Sequence, residues 1–242
     1  MKVMEKPEEK QRRSADSRQL VSFTFYGVDP AWRRLSRAER TRQGGDLLET
    51  ISRFSKRLMV LTYSLVGLKA GTDFLVWAVG PTLEELQQMA SAIRQSAMGG
   101  YLSASHSYLS MTKRSTYVDK LDPDHQEKRR FIRPFHSKYL FVYPFVKTAA
   151  WYQLPFDQRQ AMMDEHIVLG NKYQSVRIHT TYSFGLDDPE FILAFETDEP
   201  NDFLDLVMEM RESKARPYTL RDTPIFTCVA KPVAELLTDL GC

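Results

Sequence analysis

The residues best placed for chemistry are a phenol, an amine and an imidazole, all in the C-terminal half. Tyr139-Leu140-Phe141-Val142-Tyr143-Pro144-Phe145-Val146-Lys147 reads as a strand. Alternation puts Tyr139, Phe141, Tyr143, Phe145 and Lys147 on one face, and Leu140, Val142 and Val146 on the other. The second face is aliphatic and suits a core. The first ends in a phenol and an ammonium, which suits the wall of a pocket. Trp151 follows, and then a helical pattern. Pro155, Phe156 and Asp157 signal its start, with proline early and an acid in the first turn. Met162, Met163, His166, Ile167 and Leu169 supply apolar positions at helical spacing, and Gly170 is a natural stop. His166 lies on or beside this stripe. Its residue type and place leave two readings open: a core histidine satisfied by a backbone carbonyl, or a neutral imidazole ligating a haem-type iron.

These residues sit in a chain whose pattern occurs twice. In the first half, strands are expected over Leu20–Val28, Leu58–Val66, Thr72–Val79 and Tyr101–Met111. A capping box at Ser36-Arg37-Ala38-Glu39 opens a helix towards Lys56, which the Gly44-Gly45 pair weakens. A second helix runs from Thr82 to Ser96. The order β-α-β-β-α-β is that of a ferredoxin-like unit. It returns with strands at 139–146, 176–182, 190–196 and 223–229, and helices at 157–169 and 201–211. The letters repeat too. Ala31-Trp32-Arg33-Arg34-Leu35 matches Ala150-Trp151-Tyr152-Gln153-Leu154. Gly67-Leu68-Lys69 matches Gly185-Leu186-Asp187, and Ile93-Arg94-Gln95-Ser96 matches Met210-Arg211-Glu212-Ser213. The fold class is therefore α+β, two ferredoxin-like repeats whose sheets can join into one barrel with helices outside. The expected division is a disordered charged tail over 1–18, a first repeat over 19–120, a charged linker over 121–137 and a second repeat over 138–242.

Duplication also separates scaffold from site. Trp32 and Trp151 recur, so packing explains either. His166 corresponds to Leu47, and Lys147 to Val28 or Asp29, so the imidazole and the amine belong to the second copy alone. One site per chain is expected there. The linker, with His125, is either a solvated loop or a flap over the pocket.

Composition narrows the classes further. The formal net charge is +2, with no basic stripe carrying interleaved aromatics, which argues against nucleic acid. Two cysteines, Cys228 and Cys242, without metal-ligand spacing, fit a reducing cytoplasm and provide no zinc site. No apolar run has the length of a membrane span, and no signal-peptide core opens the chain.

Tyr143-Pro144-Phe145-Val146-Lys147, Trp151-Tyr152-Gln153-Leu154-Pro155, Met163-Asp164-Glu165-His166 and Gly185-Leu186-Asp187-Asp188 together resemble the chlorite dismutase-like superfamily. The resemblance implies a dimeric α+β barrel, in a homopentamer for chains of this size. It implies an iron porphyrin with His166 as the proximal ligand, Lys147 beside a propionate and Trp151 at the porphyrin edge. Two activities divide the family. Chlorite dismutases split chlorite at haem b; coproheme decarboxylases use hydrogen peroxide to turn two propionates of iron coproporphyrin III (coproheme) into vinyls, giving haem b. In decarboxylases the Tyr-Pro tyrosine, here Tyr143, forms a radical beside the reactive propionate. Chlorite dismutases have Ile-Pro there. They also carry a distal arginine before the Gly-Leu-Asp-Asp turn, where this chain has Ile178 between Arg177 and His179, and a glutamate against the proximal histidine, where it has Ala215. The resemblance therefore favours the decarboxylase, with His125 or His179 as the candidate distal group.

The chemistry suits the residue types. A phenol with a pKa of about 10 is protonated at neutral pH and can give up a hydrogen atom. Lys147 stands about 13 Å along the strand from Tyr143, so the two can share a propionate or serve neighbouring ones. Arg216 and Arg221 are further candidates for carboxylate contacts, with surface arginines as the alternative. The rival readings are chlorite dismutase or another haem b peroxidase-like enzyme, and a non-catalytic porphyrin carrier.

Overall fold

The computed structural model describes residues 18–117 and 131–242. All but the end of the expected tail, and the part of the linker that holds His125, lie outside them. Fifteen elements are labelled here: β1 (Leu20–Val28), α1 (Arg37–Phe54), β2 (Met59–Ser64), β3 (Phe74–Gly80), α2 (Leu83–Gln95), β4 (Leu102–Met111), β5 (Tyr139–Lys147), α3 (Ala149–Gln153), α4 (Phe156–Gly170), β6 (Arg177–Tyr182), β7 (Phe191–Thr197), α5 (Pro200–Glu212), β8 (Thr219–Arg221), β9 (Phe226–Ala230) and α6 (Val233–Asp239).

The nine strands form one antiparallel sheet in the order β7-β6-β4-β1-β3-β2-β9-β5-β8, and β7 also pairs with β5. Hydrogen bonding therefore runs in a closed circuit through eight strands, with β8 attached to the end of β5. Within it, β4-β1-β3-β2 and β9-β5-β7-β6 have the same relative order. Long ladders hold each group together. The groups meet at short seams, Tyr63 and Ser64 opposite Ala230 and Val229, and Met111 opposite Tyr182.

One sheet face carries a core drawn from both halves, including Phe23, Phe25, Leu75, Trp77, Leu140, Val142, Ala194 and Phe226. Phe25 and Phe226 stack across it at 3.9 Å between ring centroids. The described end of the linker, 131–137, is held against the sheet. Ile132 is buried in this core, and Glu196 accepts hydrogen bonds from the amides of Phe135 and His136.

The opposite face is covered differently in each half. Over the first, α1, α2 and α6 bury Leu47, Ile51, Phe54, Leu86, Ile93, Leu236 and Leu237 against Phe74, Val76 and Ala78. The start of α1 is the expected capping box, with the Ser36 and Glu39 side chains each bonding the other's amide. The glycine pair does not break α1. A Cβ at Gly44 would meet Cys242 Sγ at 2.7 Å and Leu237 Cδ2 at 3.2 Å, so this glycine lets the C-terminal segment approach the helix. Sequence patterning did not mark α6, although it buries Leu236 and Leu237 and is followed by the buried Leu240.

Over the second half, α5 buries Phe203 and Leu206 on Phe141, Tyr143 and Phe195. Helix α4 buries none of its fifteen residues. Its apolar stripe, with Met162, Met163, His166 and Leu169, is only half-buried. Among the described residues it is the one long helix without a buried side chain; α1, α2 and α5 each have some.

Candidate functional site

The register of β5 puts Tyr143 opposite Leu193 of β7, which faces Thr180 of β6. Directly paired residues share a sheet face. Tyr143, Phe141 and Phe145 therefore stand on the outer face beneath α5, while Leu140 and Val142 point into the shared core, as alternation predicts. Tyr143 is 8% exposed and stacks on Phe195 at 5.6 Å. Burial first, and then the Asp222 carboxylate, push its phenol well above the usual range, against Arg211 and Arg216. At neutral pH it is a protonated phenol in an apolar wall, ringed by charges.

Lys147 closes the strand. Its amide donates to Glu190 Oε2 at 2.7 Å, and the same oxygen accepts from the Tyr152 hydroxyl at 2.6 Å. Its Nζ lies 4.3 Å from the centroid of the Trp151 ring and 3.5 Å from the Ala215 carbonyl. Burial pulls this ammonium down to about 8; Glu190 pulls the other way, and Arg216 adds to the fall. Trp151, almost fully buried, also packs against Tyr218 at 5.6 Å. Arg216 begins the short turn after α5, and its Nη1 donates to Asp222 Oδ2 at 2.9 Å. Arg211, from the last turn of α5, bonds the same oxygen. Tyr143, Lys147, Trp151 and Arg216 thus meet at one corner, and the structure adds Arg211 and Asp222.

His166 is half-buried on α4. Gly170, one turn later and on the same side, would bring a Cβ to 3.7 Å from Met210 of α5. The neighbouring Glu165 accepts from the Lys214 amide at 3.2 Å, and Lys172 and Tyr173 both bond Glu209. These contacts tie α4 to the C-terminal end of α5, beside the turn that carries Ala215 and Arg216.

His179 is a correction. It pairs with Ala194, which faces Val142, and so points into the shared core, on the face opposite Tyr143. There it is 7% exposed and lies 2.7 Å from Glu196 Oε2, between Trp77 and Phe135. It cannot serve as a distal group for a ligand on the outer face. A one-residue change of parity moves a side chain through the sheet, and Ile178 is the β6 residue that faces outward. Arg177 is out of phase too; it is exposed and lies 5.1 Å over the Phe135 ring. The outward residues of β6 are Ile178, Thr180 and Tyr182, none of them cationic. His125 lies outside the described residues. Arg221 is exposed on β8.

The corner suits a flat apolar ligand with acidic edges. The half-buried side chains of α4 and of Phe145, Ile178 and Leu193 offer apolar surface without enclosing it. Lys147, Arg211 and Arg216 gather three cations at one end against two acids, Glu190 beside Lys147 and Asp222 between the arginines. Among the described residues no group of His, Cys, Asp and Glu side chains is arranged to hold a bare metal ion. No helix of the described residues is long and apolar enough to cross a membrane.

This antiparallel sheet, closed through β5 and β7 with helices on its outer face, is that of a known class of protein. The model of the chlorite dismutase family matches residues 37–231, and the chain belongs to that family. Among curated relatives, the coproheme decarboxylase of Mycolicibacterium smegmatis is 32% identical over 179 residues, 74% of this chain and 75% of that one. That of Staphylococcus carnosus is 32% identical over 167 residues, 64% and 66% of the two chains. A mutant chlorite dismutase from Candidatus Nitrospira defluvii superposes with a TM-score of 0.85 at 25% identity, over 97% of this chain and 100% of that one.

Proposed function

We propose that this protein binds iron coproporphyrin III and, with hydrogen peroxide, decarboxylates two of its propionates oxidatively to give haem b. The observation that carries this is the corner itself: a buried, protonated Tyr143 on the same strand face as Lys147, with Arg211 and Arg216 alongside. The relatives named coproheme decarboxylase point the same way. In this reading the sheet is a dimeric α+β barrel of two ferredoxin-like repeats, the chain works in the cytoplasm as a homopentamer, and the second repeat alone holds the ligand.

His166 is the residue that would hold the iron. No acid replaces the glutamate of chlorite dismutases at Ala215, whose carbonyl is 3.5 Å from Lys147 Nζ. Trp151 lies against the ligand's edge, and Lys147 and Arg216 hold propionate carboxylates by charge-assisted bonds. When bound, the iron porphyrin supplies the means of reducing peroxide and drawing electrons from the protein. Tyr143 then loses a proton and an electron together and takes a hydrogen atom from the β-carbon of the adjacent propionate. Carbon dioxide leaves and a vinyl forms. Each propionate gives up two electrons and two protons in all, and one peroxide accepts them to become two waters.

The test is mass spectrometry of the porphyrin after coproheme-loaded protein is titrated with peroxide. Two successive losses, each of carbon dioxide plus two hydrogens, are expected. Unchanged coproheme together with oxygen release on adding chlorite would replace this reading with chlorite dismutation.

A further inference from the structure

The corner holds one acid that the proposed reaction does not use. Asp222 follows β8, and its Oδ2 accepts from Nη1 of both Arg211 and Arg216, the latter at 2.9 Å. Its side chain is 15% exposed, against 39% and 35% for the two arginines. The acid is thus enclosed while its partners reach towards solvent. A guanidinium offers five N–H donors in a fixed fork, and that fork fits any carboxylate. Asp222 presents the same group as the end of a propionate, bound to the cations that a propionate would seek.

We propose that Asp222 is a positioning residue that holds Arg211 and Arg216 when no substrate carboxylate is present and competes with that carboxylate for them, so that the corner tells a propionate from a vinyl. This rests on the porphyrin-binding reading above. An anionic propionate draws a guanidinium from Asp222. Once decarboxylated, the same substituent is a neutral vinyl with nothing to offer a donor, and Asp222 takes both arginines back. Tyr143 lies within the field of all three groups, and Lys147 within that of Arg216. The exchange therefore happens beside the reacting phenol, and the ligand loses its hold where the reaction has finished.

The test uses full-length protein titrated with coproheme and with haem b, without peroxide, followed by the porphyrin absorption band. Asp222→Asn keeps the shape and removes the charge. It is expected to bind coproheme about tenfold more tightly and haem b within about twofold, so the preference for the tetracarboxylate rises. Asp222→Glu is expected to restore the wild-type preference. In turnover with peroxide, KM for coproheme falls in Asp222→Asn. An equal change for both porphyrins, or weaker coproheme binding by Asp222→Asn, would overturn the proposal and leave Asp222 a brace for the turn. Because the titration needs no peroxide, it reads Asp222 even if bound coproheme is never decarboxylated, an outcome that would overturn only the proposed function.

Discussion

The two halves share strand order and even individual bonds, yet one is filled and the other is not. Asp73 at the head of β3 accepts from the Val28 amide at 2.7 Å, and Glu190 at the head of β7 accepts from the Lys147 amide at 2.7 Å. That shared bond makes Val28, rather than Asp29, the counterpart of Lys147. By the same register Thr24, opposite Val76, stands where Tyr143 stands opposite Leu193. Trp32 donates to the Leu240 carbonyl at 3.0 Å, whereas Trp151 lies beneath an ammonium. Leu47 is fully buried, whereas His166 is half-buried. The difference comes from α6 and the residue that ends it, which bring Leu236, Leu237 and Leu240 into the first half and have no counterpart among the described residues of the second. A ferredoxin-like unit makes an outer apolar face in either case; the proposed site lies where the described residues cover that face least.

The contrast is sharpest between Leu47 and His166. Leu47→Ala empties a packed position and is expected to cost about 2–5 kcal/mol, read by denaturant unfolding. His166→Ala should cost under about 1 kcal/mol yet abolish the histidine-ligated spectrum of bound porphyrin. Equal destabilisation would show that α4 packs as α1 does. Next comes the phenol. Tyr143→Phe keeps the stacking on Phe195, should leave coproheme affinity within about twofold and should lower turnover by at least about 100-fold. Thr24→Val, at the matching place, should leave turnover unchanged. Wild-type turnover by Tyr143→Phe would remove the tyrosine from the reaction.

The third test is by pH. The Lys147 ammonium is lowered to about 8 from 10.5, so its charge disappears as pH rises through 8. Coproheme affinity should fall about tenfold between pH 7 and 9, and Lys147→Arg, which does not titrate there, should flatten the profile. Stability runs the other way. Between about 8 and 10.5 the unfolded chain binds more protons at this group than the folded one, so its contribution to stability rises with pH. The smallest effect concerns helix starts. Ser36→Ala should cost about 1 kcal/mol by removing the cap of α1. Helix α4, which begins at Pro155 without a side-chain cap, has no such bond to lose.

Much of this was legible because it is local. Alternation along β5 placed Tyr143 and Lys147 on one face, and helical spacing placed His166 on the stripe of α4. The parity of β6 was harder to read. Ile178 and His179 are adjacent, both suit a buried place, and only the ladder to β7 decides which of them faces outward. Arg211 matches Arg94 of the first repeat, so its place in the sequence does not single it out. Its pairing with Asp222 joins a helix end to a later turn, and no spacing rule connects the two. Nor did charge patterning reveal that Glu196 would anchor the linker from within the core.

By itself the sequence determined the elements, their order, the doubling and the residue types on each face, since each follows from periods of a few residues. The tertiary structure decided which outer face the described helices cover less and which charges meet there. Burial belongs to pairs of surfaces, and the helix that fills one half comes from the far end of the chain.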